Sequence, residues 1–104
     1  RQEGMGYYQV TQRHGRRCSA AAAYLNPARS RPNLSIETEA NCEKILIENR
    51  RAVGVRYRKG RETKIVRVRR EVIVSAGALQ SPQILMLAGI GPADQLRRYG
   101  VDVI

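Results

Sequence analysis

The chain has 104 residues, a net charge of +10, 42% hydrophobic residues and five tyrosines, with neither Phe nor Trp. This length allows at most one small domain, whose core must rest on Ile, Leu, Val and Ala. No window approaches the roughly 18 apolar residues of a membrane span, so we expect a soluble setting. Because the chain begins with Arg1 and ends in the apolar run VDVI, we expect it to be a piece of a longer polypeptide.

The excess of basic residues is open to two functional interpretations. An excess of Lys and Arg over Asp and Glu is typical of proteins that bind nucleic acid or acidic lipid. Here the basic residues are spread through 13–17, 29–31, 50–61 and 67–70, without one dense stripe. We favour solvent-facing strand positions as the explanation. A basic module that binds nucleic acid or acidic surfaces remains the alternative.

The first third of the chain combines polar residues with an alanine-rich run. Tyr7–Thr11 is rich in β-forming residues and predicts a short strand. His14 and Gly15 predict a turn. Arg17–Leu25 has a high helix propensity, and Pro27 is expected to end that helix because proline lacks a backbone N–H.

The middle of the chain, Glu43–Arg70, alternates apolar and polar residues with a period of two. This period predicts three short strands, with turns near Glu48–Arg50 and Lys59–Arg61. Val55 would then face one side of the sheet and Arg56 the other. The pattern is typical of an antiparallel meander with one solvated face.

The last third predicts one strand and two helices. Val72–Val74 is a continuous β-branched run followed by small residues, as in a strand buried on both faces. Ser81 is expected to cap a helix that ends at Gly89. A second short helix follows in Ala93–Gly100. The whole pattern predicts a mixed α/β fold, in the α+β sense, with a three-stranded meander, a buried strand and two short C-terminal helices.

No self-sufficient active site or metal site is recognisable, so we expect this chain to contribute no catalytic residue and no metal ligand. The glycines of Gly4–Gly6 and Gly89–Gly91 give only G-x-G, not the dinucleotide fingerprint G-x-G-x-x-G. His14 is interpreted as a solvent-exposed turn residue, because acid–base catalysis needs a sheltered group. Cys18 and Cys42 lack paired zinc-ligand spacing. We expect two reduced thiols, with a disulfide left open.

The order of these pieces is nevertheless similar to a known family. GALQSPQILMLAGIGPA, at residues 77–93, resembles the second signature of the glucose-methanol-choline (GMC) flavin oxidoreductases, and departs from it at Ala88, where the family usually has Ser. Residues 6–25 resemble the family's G-x-R segment with its following S-x-x-x-x-Y-L. Residues 31–57 resemble the next two strands. Within the family, the chain is most similar to bacterial choline dehydrogenases and related alcohol dehydrogenases.

The resemblance implies a cofactor and a place in the larger protein. Residues 1–104 would be a fragment from the later part of the FAD-binding domain, a partial FAD/NAD(P)-binding-type fold. Cys42 falls where the family places a small residue beside the adenine. Ser75, Ala76 and Gly77 match a small-residue strand end close to the cofactor. The family's phosphate-binding glycine loop and catalytic histidine would lie outside this chain.

The implied function is oxidation of a primary alcohol, choline-like or aliphatic, to an aldehyde, with hydride transfer to FAD. We expect negligible activity and weak or no FAD binding from the chain alone. Its partners would be the rest of the same polypeptide and a small alcohol, with no specific nucleic acid, and exposed strand edges could drive self-association. The expected setting is bacterial, either cytoplasmic or peripherally associated with a membrane.

Overall fold

A computed structural model describes residues 3–104 of the chain. The chain divides into two compact units, of which the first ends at Ile36 and the second runs Glu37–Ile104. Among the described residues, no helix has the length and apolarity needed to cross a membrane.

The first unit begins with a very short antiparallel hairpin. Strands β1 (Gln12–Arg13) and β2 (Arg16–Arg17) pair across a turn at His14 and Gly15, both of which have positive φ angles. The Gln12 side-chain oxygen accepts a hydrogen bond from the Gly15 N–H at 3.0 Å and so closes the turn. The predicted turn is confirmed. The strand predicted at Tyr7–Thr11 is wrong, since strand pairing starts only at Gln12.

The helix of this unit is shorter at its start than predicted and continues past its expected end. A π-helical segment, Ala21–Leu25, leads into α1, Asn26–Ala28. The Ser19 hydroxyl accepts a hydrogen bond from the Ala22 N–H at 3.2 Å, which favours a start after Ser19. Pro27 lies inside α1 rather than ending the helix. Pro27 lies at the first positions of α1, where a missing backbone N–H is tolerated, and the Asn26 N–H donates to the Ala21 carbonyl of the preceding π-helical turn.

The second unit contains the predicted meander. Strands β3 (Ala40–Glu48), β4 (Arg51–Lys59) and β5 (Glu62–Arg67) form one antiparallel sheet in that order. Both predicted turns are confirmed. At the first of them, Asn49 and Arg50 have φ angles of 50° and 62°, as a type I′ hairpin turn requires.

The segment after the meander corrects one prediction. Val72–Val74 belongs to no strand of the described residues, and Ile73 is 78% exposed. A β-branched run becomes a strand only where a neighbouring backbone offers hydrogen bonds. Within residues 3–104 the described strands pair as β1–β2 and β3–β4–β5, so this run has no such neighbour.

Two short helices complete the second unit: α2 (Gln80–Leu87) and α3 (Ala93–Arg98). Ser81 lies inside α2 and is not its N-cap, which corrects the prediction. Gly89 ends α2 as predicted, with φ +93° and hydrogen bonds typical of a Schellman motif. Gly100 ends α3 in the same manner, with φ +67°.

The buried apolar residues of the described chain all lie in the second unit. They are Ile45 on β3, Ala88 at the end of α2 and Leu96 on α3. Helix α2 packs against β3. The predicted α+β architecture of a meander and two short C-terminal helices is therefore confirmed, and only its buried strand is not.

Candidate cofactor-binding site

An open cleft of about 540 Å³ lies between the sheet of the second unit and helix α2. Strands β3 and β4 supply one wall, and the loop before α2 together with α2 itself supplies the other. Its lining residues are Ala40, Asn41, Cys42, Glu43, Arg56, Ala76, Gln80, Gln83, Ile84 and Leu87. The cleft therefore brings together two of the four residues that the sequence assigned to cofactor binding, Cys42 and Ala76.

Cys42 stands near the start of β3, where it pairs with Tyr57 of β4. Its thiol is half-buried and not in a disulfide. Burial raises the pKa of the Cys42 thiol, and a hydrogen bond from the Lys44 backbone N–H opposes this only in part. The side chain is thus a small, neutral thiol at neutral pH, suited to contact with a flat ring.

Ala76 lies in the loop that leads into α2. Its N–H donates a hydrogen bond to the Ser81 hydroxyl at 3.0 Å. The Ser81 N–H in turn donates to the Gly77 carbonyl at 3.0 Å. Ser81, predicted as a helix cap, therefore holds this loop close to the first turn of α2. Ser75 and Gly77 flank Ala76 in the chain but do not line the cleft.

Glu43 and Arg56 line the same cleft and were not predicted as site residues. The Glu43 carboxylate lies 3.4 Å from the Arg56 guanidinium and 3.6 Å from that of Arg58. Arg56 was identified only as a solvent-facing strand residue. No sequence signal could have found it, because the strand register that brings Arg56 and Glu43 together is set only when β3 and β4 pair.

The remaining lining residues determine which ligands the cleft can accept. Ile84 and Leu87 contribute apolar side chains to the lining, and Asn41, Gln80 and Gln83 contribute amide groups. Flat nitrogen heterocycles need this combination of an apolar surface and a few polar groups. The small side chains of Cys42 and Ala76 leave room for such a ring.

Catalytic chemistry has no comparable support in the described residues. His14 belongs to the first unit and is exposed in the β1–β2 turn, as predicted. Within residues 3–104 there is no group of three or more His, Cys, Asp or Glu side chains that could hold a metal ion.

The profile of the GMC oxidoreductases matches residues 1–101 of the chain. The chain belongs to the GMC oxidoreductase family. The resemblance found in residues 6–25, 31–57 and 77–93 is thereby confirmed over nearly the whole sequence. The cleft lies within the matched part of the chain.

Curated GMC relatives are closely similar over the full chain. It is 52% identical to an oxygen-dependent choline dehydrogenase of Sinorhizobium medicae over 103 residues, which are 99% of this chain and 19% of that protein. It is 48% identical to an alcohol dehydrogenase (acceptor) of Pseudomonas putida over 105 residues, with the same shares. The chain therefore spans about a fifth of the length of the relatives it matches.

Two solved oxidoreductase structures share the fold of this chain. An FAD-dependent oxidoreductase from Chaetomium thermophilum superposes with a TM-score of 0.78 and 36% identity, covering 84% of this chain and 15% of that one. Pyridoxine 4-oxidase from Mesorbium loti gives a TM-score of 0.79 and 34% identity, covering 89% and 18%. Both proteins are much longer than the segment that matches.

Proposed function

We propose that this chain is the later part of the FAD-binding domain of a GMC dehydrogenase that oxidises a primary alcohol, choline-like or aliphatic, to an aldehyde. One observation carries the proposal: the cleft of a GMC family member lined by both Cys42 and Ala76. The relatives that are choline and alcohol dehydrogenases support the substrate class.

The chain's own role in this enzyme is to bind and shield the cofactor. In the complete enzyme, a bound FAD would supply the hydride acceptor for the oxidation of the alcohol. Cys42 and Ala76 would contact its adenine end, and the amides of Asn41, Gln80 and Gln83 would face its polar edge. Ile84 of α2, which is half-buried, would pack against that end. The group that takes the alcohol proton would be supplied by other parts of the polypeptide.

The direct test uses the complete reading frame that contains this chain. We expect the purified protein to carry flavin and to show bleaching of the flavin spectrum when choline or an aliphatic primary alcohol is added without oxygen. We expect the 104-residue chain alone to show no measurable alcohol turnover and weak or no FAD binding. A complete protein without flavin, or turnover by the chain alone, would contradict the proposal.

A second test addresses the place of Cys42. In the complete protein, alkylation of Cys42 should be slower with FAD bound than after FAD is removed. Cys18, in the first unit, is the internal control and is read in the same digest by mass spectrometry. Equal slowing of both thiols would indicate a general effect of folding and not contact with the cofactor.

The basic-module alternative gains no specific support from the described residues. Within the basic stretch 56–61, Arg56 and Arg58 share Glu43, and Lys59 lies 2.6 Å from Glu37. These two carboxylates offset two of the three positive charges, whereas non-specific binding to a nucleic-acid backbone needs several phosphates to be neutralised at once. We therefore assign no nucleic-acid function.

A further inference from the structure

A β-bulge at the edge of the cleft turns an acidic side chain toward two arginines. Cys42 pairs with Tyr57 and Lys44 pairs with Arg56, so Glu43 is an extra residue without a cross-strand partner. A bulge changes the direction of the side chain at that point, and such irregularities are common beside functional sites. The Glu43 carboxylate consequently reaches the guanidinium groups of both Arg56 and Arg58 on β4.

This cluster keeps a surplus positive charge. One carboxylate faces two guanidinium groups, and a guanidinium stays charged at any physiological pH. The Glu43 side chain is 25% exposed and that of Arg56 is 44% exposed. The ion pair therefore holds Arg56 in place while leaving much of its guanidinium open to another partner.

Arg56 is the arginine of this cluster that lines the cleft. Besides Arg56 and its partner Glu43, the cleft is lined by apolar side chains, amides and the neutral thiol of Cys42. A nucleotide matches this distribution, because its base is flat and amide-compatible while its phosphates are anionic. A guanidinium is well suited to phosphate, since it offers several N–H donors in a planar fork.

We propose that Arg56, held by Glu43, binds a phosphate group of the nucleotide part of the cofactor, with the base against Cys42 and Ala76. This inference rests on the proposed function, in which the cofactor is FAD. It adds an anion-binding residue outside the glycine loop expected elsewhere in the polypeptide.

The test is reconstitution of the complete apoprotein with FAD, followed by quenching of flavin fluorescence. We expect Arg56→Gln to raise the Kd for FAD about tenfold, the effect of losing one charge-assisted contact. We expect Arg56→Lys to raise the Kd for FAD by less than Arg56→Gln does, because lysine keeps the positive charge but lacks the planar fork of donors. The Kd of Arg56→Gln should also depend less on salt, since one ionic contact is missing.

Arg67→Gln is the matched control. Arg67 is also an ion-paired strand arginine, bonded to Glu48 at 2.8 Å, and it does not line the cleft. The Kd of Arg67→Gln for FAD should remain within about twofold of that of the unsubstituted protein. Salt screens the effect of a charge that does not touch the cofactor. Equal effects of Arg56→Gln and Arg67→Gln, or a loss in Arg56→Lys as large as in Arg56→Gln, would overturn the inference. Failure of the unsubstituted protein to bind FAD would instead overturn the proposed function, and the inference with it.

Discussion

The two units of the chain contain similar apolar residues but bury them very differently. The first unit, up to Ile36, has four consecutive alanines and three tyrosines, yet none of its described residues is buried. The second unit buries Ile45, Ala88 and Leu96. Its three strands pair residues far apart in sequence, so side chains of several elements meet. Apolar residues form a core where separate elements pack together, as α2 packs on β3 in the second unit.

The largest difference that we expect between the units is in the free energy of unfolding that is lost when a large side chain is replaced by alanine. Leu96 is 1% exposed, so Leu96→Ala should lower the free energy of unfolding by about 3 kcal/mol, from lost burial and a residual cavity. Tyr24→Ala in the first unit removes a larger side chain, but that side chain is 78% exposed. This substitution should change the free energy of unfolding by less than about 0.5 kcal/mol. Urea unfolding followed by circular dichroism measures both. Similar losses would contradict the contrast between the units.

We expect a smaller difference in stability between alanine substitutions at the two glycines that end α2 and α3. Both have positive φ, but a Cβ at Gly89 would collide with the Asp102 carbonyl oxygen, whereas a Cβ at Gly100 meets nothing within 4 Å. Gly89→Ala should therefore destabilise the chain by about 2 to 3 kcal/mol, from backbone strain and the collision together. Gly100→Ala should lower the free energy of unfolding by about 1 kcal/mol, because only backbone strain is added. Equal urea midpoints for the two variants would show that crowding at Gly89 is unimportant.

The β3–β4 turn offers a stabilising change of smaller size. Arg50 has φ 62°, a left-handed conformation that an L side chain adopts only with strain. Arg50→Gly would produce the Asn-Gly pair preferred in type I′ turns, and should raise stability by about 0.5 to 1 kcal/mol. Thermal unfolding is a suitable measurement. The same exchange at Arg61, which lies in the other hairpin turn without a positive φ, should not stabilise the chain.

The smallest expected effect is the pH dependence of one exposed ion pair. The hydrogen bond and charge of Lys59 lower the pKa of Glu37 below its ordinary 4.5, and Glu37 raises the pKa of Lys59 above its ordinary 10.5. The pair's stabilisation is therefore present between these ordinary values. It is lost as the pH falls through the lowered pKa of Glu37, or rises through the raised pKa of Lys59.

Lys59→Gln should remove this contribution. Its urea midpoint should fall slightly at pH 7 and match that of the unsubstituted chain in strong acid. The difference should shrink in high salt, because both groups are exposed. Arg61→Gln removes the same charge from the neighbouring turn and serves as the control. A deficit that persists unchanged into strong acid would contradict the assignment to this pair.

Local chemistry explains which parts of the fold could be predicted. The meander follows from alternation, and its turns follow from residues that tolerate positive φ, as at Asn49 and Gly60. Gly89 and Gly100 end their helices for the same reason. The errors occurred where a distant partner decides the outcome. Val72–Val74 has the composition of a strand, but composition does not provide a neighbouring strand.

The candidate site could be predicted only in part. Family resemblance pointed to Cys42 and Ala76, which the cleft brings together, and to Ser75 and Gly77, which do not line it. Arg56 was missed because a period-two pattern assigns it to the solvated face. The bulge that directs Glu43 toward it depends on cross-strand register and leaves no mark in sequence periodicity.

The amino-acid sequence by itself determined the family, the meander and the positions where the helices end, because these depend on motifs, alternation and glycine conformations read residue by residue. Only the tertiary structure decided that Ser81 ties down the loop at Ala76 and does not cap α2, and that Glu43 holds Arg56 at the cleft. Both contacts join residues through hydrogen bonds and charges whose geometry is set by neighbouring elements. Such geometry exists only once the strands have paired and α2 has packed on them.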